Sequence, residues 1–90
     1  DLKQYDQAME AFRKVLTLKP DHKEALNNLG VCAYKLRDYE QAEQYFKKAL
    51  EIDQNYGEAW YNLGICLGSQ NKVSESMQAI ARSKQVTSGQ

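Results

Sequence analysis

The sequence predicts an all-α fold: a solenoid of about five helices stacked as antiparallel pairs. Three observations lead there. The segment NLGVC at 28–32 returns as NLGIC at 62–66. Apolar residues recur at helical spacing throughout, with no strand-like alternation. Turn signals separate the apolar stripes at regular intervals. A fixed period marks a repeat protein. One helix pair cannot bury its own apolar face, and short helices alone are marginal in water, so like units stack and cover one another.

The period is 34 residues and extends beyond the opening pair. Leu2, Tyr5, Gln7, Ala8, Phe12, Lys14 and Leu16 return as Leu36, Tyr39, Gln41, Ala42, Phe46, Lys48 and Leu50. Glu24 and Ala25 return as Glu58 and Ala59. This divides a single domain, 1–90, into full units at 23–56 and 57–90, preceded by the second half of a unit at 1–22.

The first helix is expected over about 3–18, with Ala8 and Phe12 on its apolar face. KPDH at 19–22 ends it, because Pro20 pushes Lys19 out of helical geometry. A second helix, 23–36, carries Leu26, Leu29, Gly30 and Ala33 at i, i+3, i+4, i+7. After Arg37 and Asp38 a third, 39–52, carries Tyr39, Ala42, Phe46 and Ala49. DQNYG at 53–57 separates it from a fourth, 57–70, and a fifth follows over 73–86. TSGQ at the end has no helical pattern.

Composition narrows the function classes. Twelve basic and twelve acidic side chains cancel, which removes any general attraction to nucleic acid or an anionic membrane. No apolar run approaches the roughly 18 residues of a membrane span. The chain begins at Asp1 and reads as a piece of something longer. Cys32 and Cys66 sit inside apolar helical patterns and read as reduced core residues, which suits a reducing, cytoplasmic setting. Gly30 and Gly64 lie within helices, so there is no phosphate-binding loop. His22 is the only histidine. Cys32 and Cys66, on stacked helices roughly 8–10 Å apart, are too distant to share a zinc ion. No base is placed beside either cysteine. The expectation is a non-enzyme with no metal and no cofactor.

These residues resemble the tetratricopeptide repeat family over the whole chain. Trp60, Leu63 and Gly64 match the first-helix motif of the last unit, where Leu67 replaces the usual Tyr. Leu26, Leu29, Gly30, Ala33, Ala42 and Phe46 match it in the middle unit, and Ala8, Phe12 and Pro20 in the leading half unit. Glycine and alanine let helices approach closely, while Trp60, Phe12 and Phe46 fill the spaces between. Gln54 replaces the closing proline, which should soften that turn. Ser76, Ile80 and Ser83 stand where the family prefers Ala, Phe and Ala, and Val73 where the other units have Tyr, so the last unit is degenerate.

The resemblance implies a right-handed superhelix whose groove is lined by the first helix of each unit. Those residues are Glu24, Asn27, Asn28, Val31 and Lys35, then Glu58, Tyr61, Asn62, Ile65 and Ser69. Asn28 and Asn62 are expected to stack as a ladder of amides, each offering donor and acceptor to an extended peptide of a protein partner. Tyr61, Val31 and Ile65 add apolar contact. Pairs such as Lys47 with Glu51 are expected on a solvated outer face.

One family use is argued against. Chaperone-binding members clamp a C-terminal carboxylate with Lys, Arg and Asn. Asn28 fits one position, but Glu58 stands where Lys is needed and Asn62 where Arg is needed. In the alternative register Asn27 and Val31 replace Lys and Asn, and only Asn62 fits. Two other roles compete with a peptide groove. One is a spacer or self-associating segment, a homo-oligomer formed through the end helices. The other is the recruiting arm of an enzyme whose catalytic domain lies elsewhere.

Overall fold

The computed structural model describes residues 1–88. They form five α-helices: α1 (Leu2–Leu18), α2 (Lys23–Lys35), α3 (Tyr39–Ile52), α4 (Gly57–Ser69) and α5 (Val73–Ser88). Each helix packs on the next, and α2 also touches α4. This is the expected solenoid of antiparallel pairs. The largest departure is in the tail: α5 continues through Thr87 and Ser88, and residues 89–90 lie outside the described residues. Thr87 returns its hydroxyl to the Ser83 carbonyl at 2.7 Å, so the polar residues support the last turn of the helix.

Side-chain caps explain the starts of the first three helices. Asp1 accepts from the Gln4 amide and completes a capping box. Asp38 caps α3 by accepting from the Gln41 amide, and His22 caps α2 by accepting from the Ala25 amide at Nδ1. Both α2 and α4 stop at a residue in left-handed conformation, Arg37 (φ 66°) and Asn71 (φ 64°). In each case the following amide reaches back five residues: Asp38 to Ala33 at 2.9 Å and Lys72 to Leu67 at 3.0 Å. This is the Schellman closure.

Close approach sets the pair geometry. Ala33, Ala42, Ala49 and Ala59 are completely buried, and Phe46 is 1% exposed. Phe46 lies flat against the space a Cβ at Gly30 would occupy, its Cδ1 only 2.6 Å from that position. Ile80 does the same at Gly64, also at 2.6 Å. The serines of α5 are not loose substitutions. Ser76 donates to the Gly64 carbonyl at 2.7 Å and Ser83 to the Gly57 carbonyl at 2.9 Å. Where α3 presents bare alanine to α2, α5 is hydrogen-bonded to α4.

Trp60 is only half-buried; its Nε1 donates to the Gln54 carbonyl at 2.8 Å, and the Arg82 guanidinium lies 5.9 Å from its ring. The α3–α4 turn is therefore pinned despite lacking proline. Asp53 accepts from the Asn55 amide at 2.9 Å and forms an ion pair with Lys23.

The outer face holds one group that periodicity missed. Glu43 is 6% exposed. It accepts from Lys47 at 2.6 Å, Gln70 at 2.9 Å and Lys72 at 3.3 Å, tying α3 to the α4–α5 turn. Lys47 is thus paired with Glu43, not with Glu51, because the buried carboxylate needs a cation more than the exposed one does. Burial opposes ionisation of Glu43, but the hydrogen bonds from Lys47, Gln70 and Lys72 outweigh it and hold the carboxyl at about 2.

Candidate functional site

The first helices of the two pairs, α2 and α4, share one face, and a shallow recess of about 320 Å³ opens on it. Val31, Tyr34, Lys35, Tyr61, Asn62 and Ile65 line it, with Phe46 behind. Five of the ten expected groove residues therefore meet around one depression: Val31, Lys35, Tyr61, Asn62 and Ile65. Tyr61 (51% exposed) and Ile65 (37%) are among the exposed large apolar residues of the protein.

The remaining expected residues divide. Glu24, Asn28, Glu58 and Ser69 are exposed on the same two helices. Asn27 is not part of an open surface; it is 2% exposed. Its Oδ1 accepts from Asn62 Nδ2 at 3.1 Å. The cross-helix amide pair is therefore Asn27 with Asn62, not the stack of Asn28 over Asn62. The same shift of one residue places the Tyr34 hydroxyl 3.0 Å from Ser69 Oγ. Residue i of α2 meets i+35 of α4, because the helices are staggered as they stack. Asn28 is left with its amide free toward solvent.

Tyr34 is the groove residue whose weight the sequence understated. It walls the recess, bonds Ser69 and packs against the Tyr39 ring, with centroids 5.3 Å apart. Its signal was there: Tyr34 lies three residues after Val31 on the same helical face.

Electrostatically the face has two ends. Glu24 and Glu58 occupy the first turns of α2 and α4, and Lys35 the last turn of α2. Tyr56, the residue before α4, lies at the acidic end, its phenol pushed up by burial and then by Glu58 and Glu24.

The thiols are buried and protonated. Burial raises Cys32, and burial followed by the Glu43 charge raises Cys66 to about 11. Cys66 donates to the Tyr39 carbonyl at 3.1 Å. Among the described residues no group of three or more His, Cys, Asp or Glu side chains comes together to hold a metal ion. No helix among them is long and apolar enough to cross a membrane.

Models of the tetratricopeptide repeat match residues 1–22, 24–56 and 45–81. The chain belongs to the tetratricopeptide repeat family. No curated protein sequence matches it. Among solved structures it is similar to the second TPR of Spaghetti (RPAP3) bound to the HSP90 peptide SRMEEVD, with TM-score 0.88 and 21% identity over 91% of this chain and 76% of that one. The first TPR of Spaghetti, bound to the same peptide, gives TM-score 0.90 and 19% identity over 93% of this chain and 67% of that one. MamA gives TM-score 0.90 and 14% identity; the match covers 96% of this chain but half of that one. At these identities the likeness establishes the fold alone.

Proposed function

We propose that the protein is a non-catalytic interaction scaffold that holds an extended peptide of a protein partner on the α2–α4 face. One observation carries the reading: exposed apolar walls, Tyr61 and Ile65, beside an open recess and the free amide of Asn28. Exposed apolar groups around a concavity mark a contact surface, and a primary amide can serve both sides of a peptide unit. Two structural relatives carry a peptide, which supports this class of use. The acidic terminus of that peptide does not suit this face, where Glu58 and Asn62 replace the cations a carboxylate clamp requires. A displayed peptide library selected on the protein should give ligands that lose binding to a Tyr61→Ala/Ile65→Ala variant of unchanged helicity. Ligands indifferent to that variant would remove the assignment.

A second reading, self-association through the end helices, has its own observation. Ala8 and Phe12 of α1 are half-buried, whereas Ala42 is completely buried at its equivalent position on α3 and Phe46 is 1% exposed. At the other end Val73 and Met77 are 62% and 67% exposed. Sedimentation at increasing concentration tests it; a mass fixed at one chain throughout the range excludes it.

A further inference from the structure

We infer that the α2–α4 face selects a peptide with a basic side chain three residues from a large apolar one. This rests on the peptide-groove reading and adds the chemistry of the ligand. The acidic row, Glu24 and Glu58, lies seven residues before Val31 and Ile65 on their respective helices. Seven residues of helix rise about 10 Å. An extended peptide covers that distance in about three residues. A side chain seated between Val31, Tyr61 and Ile65 therefore puts its third neighbour, in one chain direction or the other, over the carboxylates. Lys35, four residues beyond Val31, makes the opposite end of the face basic and disfavours a second cation there.

The carboxylates are free to receive a cation. Among the described residues Glu58 has no ion-pair partner. The only contact of that kind at Glu24 is His22 Nδ1 at 3.7 Å, and that nitrogen already accepts the Ala25 amide, so it offers Glu24 no proton. Lys23, the nearest cation in sequence, bonds Asp53 and lies 5.0 Å from the Tyr56 ring, and it reaches Glu24 only through its charge, without an ion-pair contact. Both glutamates also favour the positive ends of their own helices, a role that needs no ligand. The test separates the two.

The probes are capped octapeptides of serine with one leucine and with Lys, Gln or Glu three residues before it, and a second set with the charge three residues after it. Binding is read by fluorescence anisotropy at low salt. In one set the Lys peptide should bind about threefold tighter than Gln, and Gln about threefold tighter than Glu, the scale of exposed ion pairs. The order should collapse in a Glu24→Gln/Glu58→Gln variant and in 0.5 M salt, and SRMEEVD should bind no better than the Glu peptide. If binding is lost in Tyr61→Ala/Ile65→Ala but the order is absent, or survives in the glutamine variant, the charge selection is overturned and the groove stands. If no probe binds, both are overturned.

Discussion

Asn62 on α4 donates its amide to Oδ1 of Asn27 on α2 at 3.1 Å, joining the first helices of successive pairs at a point where Asn27 is 2% exposed. Truncating Asn27 to Ala leaves the Asn62 donor without its acceptor and opens space in a buried site. We expect a loss of about 1–3 kcal/mol. Asn28→Ala, on the exposed side of the same turn, should change stability by less than about 0.5 kcal/mol. Urea unfolding of both variants checks the contrast, and a double-mutant cycle on Asn27 and Asn62 should return a positive coupling. Equal effects at 27 and 28 would contradict the assignment of the buried amide.

The pair also shows what the sequence could and could not convey. The 34-residue offset located every helix and made Asn28 and Asn62 look equivalent, because repeats align positions in sequence. Contacts across stacked helices depend instead on their stagger, which here adds one residue and pairs Asn27 with Asn62. Glu43 was hidden for a different reason. It lies between Ala42 and Phe46 on the buried stripe, one step after Tyr39 by helical spacing, but its partners Gln70 and Lys72 are in a turn 27 and 29 residues away. An acid at a core position signals that a partner is required without saying where it is. The turns were legible where proline or aspartate made them; at Arg37 the flanking apolar stripes placed the break, but not its left-handed closure, since arginine rarely adopts the positive φ found there.

Glu43 makes stability pH-dependent in a defined window. Its folded carboxyl titrates at about 2 against an ordinary value of 4.5, so the unfolded chain takes up the proton first. The contribution is fully present above pH 4.5 and disappears as pH falls through about 2. The difference is on the order of 3 kcal/mol. Thermal unfolding between pH 6 and 2 should show a steeper loss for the native chain than for Glu43→Gln. Parallel curves would show that the carboxylate is not held as described.

The equivalent of Glu43 one unit earlier is Met9, 3% exposed, and the equivalent of Gln70 is Leu36. Met9 belongs to the buried apolar core and Leu36 packs against it, so apolar residues stand at one interface where the next has an ionic group. Replacing a buried charged group with packed apolar residues is often neutral or stabilising when no charge is left buried, and Lys47 and Lys72, 51% and 44% exposed, can return to water. Removing one member alone is costly. We therefore expect Glu43→Met/Gln70→Leu to unfold at or above the native denaturant midpoint, and Glu43→Ala to fall by about 3 kcal/mol. A double variant as weak as Glu43→Ala would show that this interface depends on charge.

At Gly30, helix propensity and packing oppose each other. Alanine gains about 1 kcal/mol of propensity over glycine within a helix. Its Cβ would sit 2.6 Å from Cδ1 of Phe46, a ring 1% exposed. Overpacking of this kind costs about 1–3 kcal/mol, so packing should win and Gly30→Ala should destabilise. Phe46→Leu alone leaves a void, but combined with Gly30→Ala it should recover part of the loss. Independent, additive effects would mean that ring and glycine do not meet.

The turn after α3 offers the opposite outcome, a substitution that should stabilise. Pro20 closes α1 after Lys19, whose φ and ψ are −135° and 85°; Gln54 follows Asp53 at −140° and 100°. Both preceding residues are in the extended region that proline requires of its neighbour. The turns close alike, with His22 bonding back to the Lys19 carbonyl at 3.1 Å and Tyr56 to the Asp53 carbonyl at 3.2 Å. No backbone bond from the Gln54 amide crosses this turn, and its carbonyl, which accepts from Trp60, is retained in proline. Gln54→Pro thus removes freedom from the unfolded chain without removing a native contact. It should stabilise by about 0.4–1 kcal/mol. The check is a shift of the urea midpoint with an unchanged slope, alongside an unchanged Trp60 emission maximum. A fall in stability with a red-shifted Trp60 would mean that the two turns differ in the one dihedral proline fixes, the φ of residue 54.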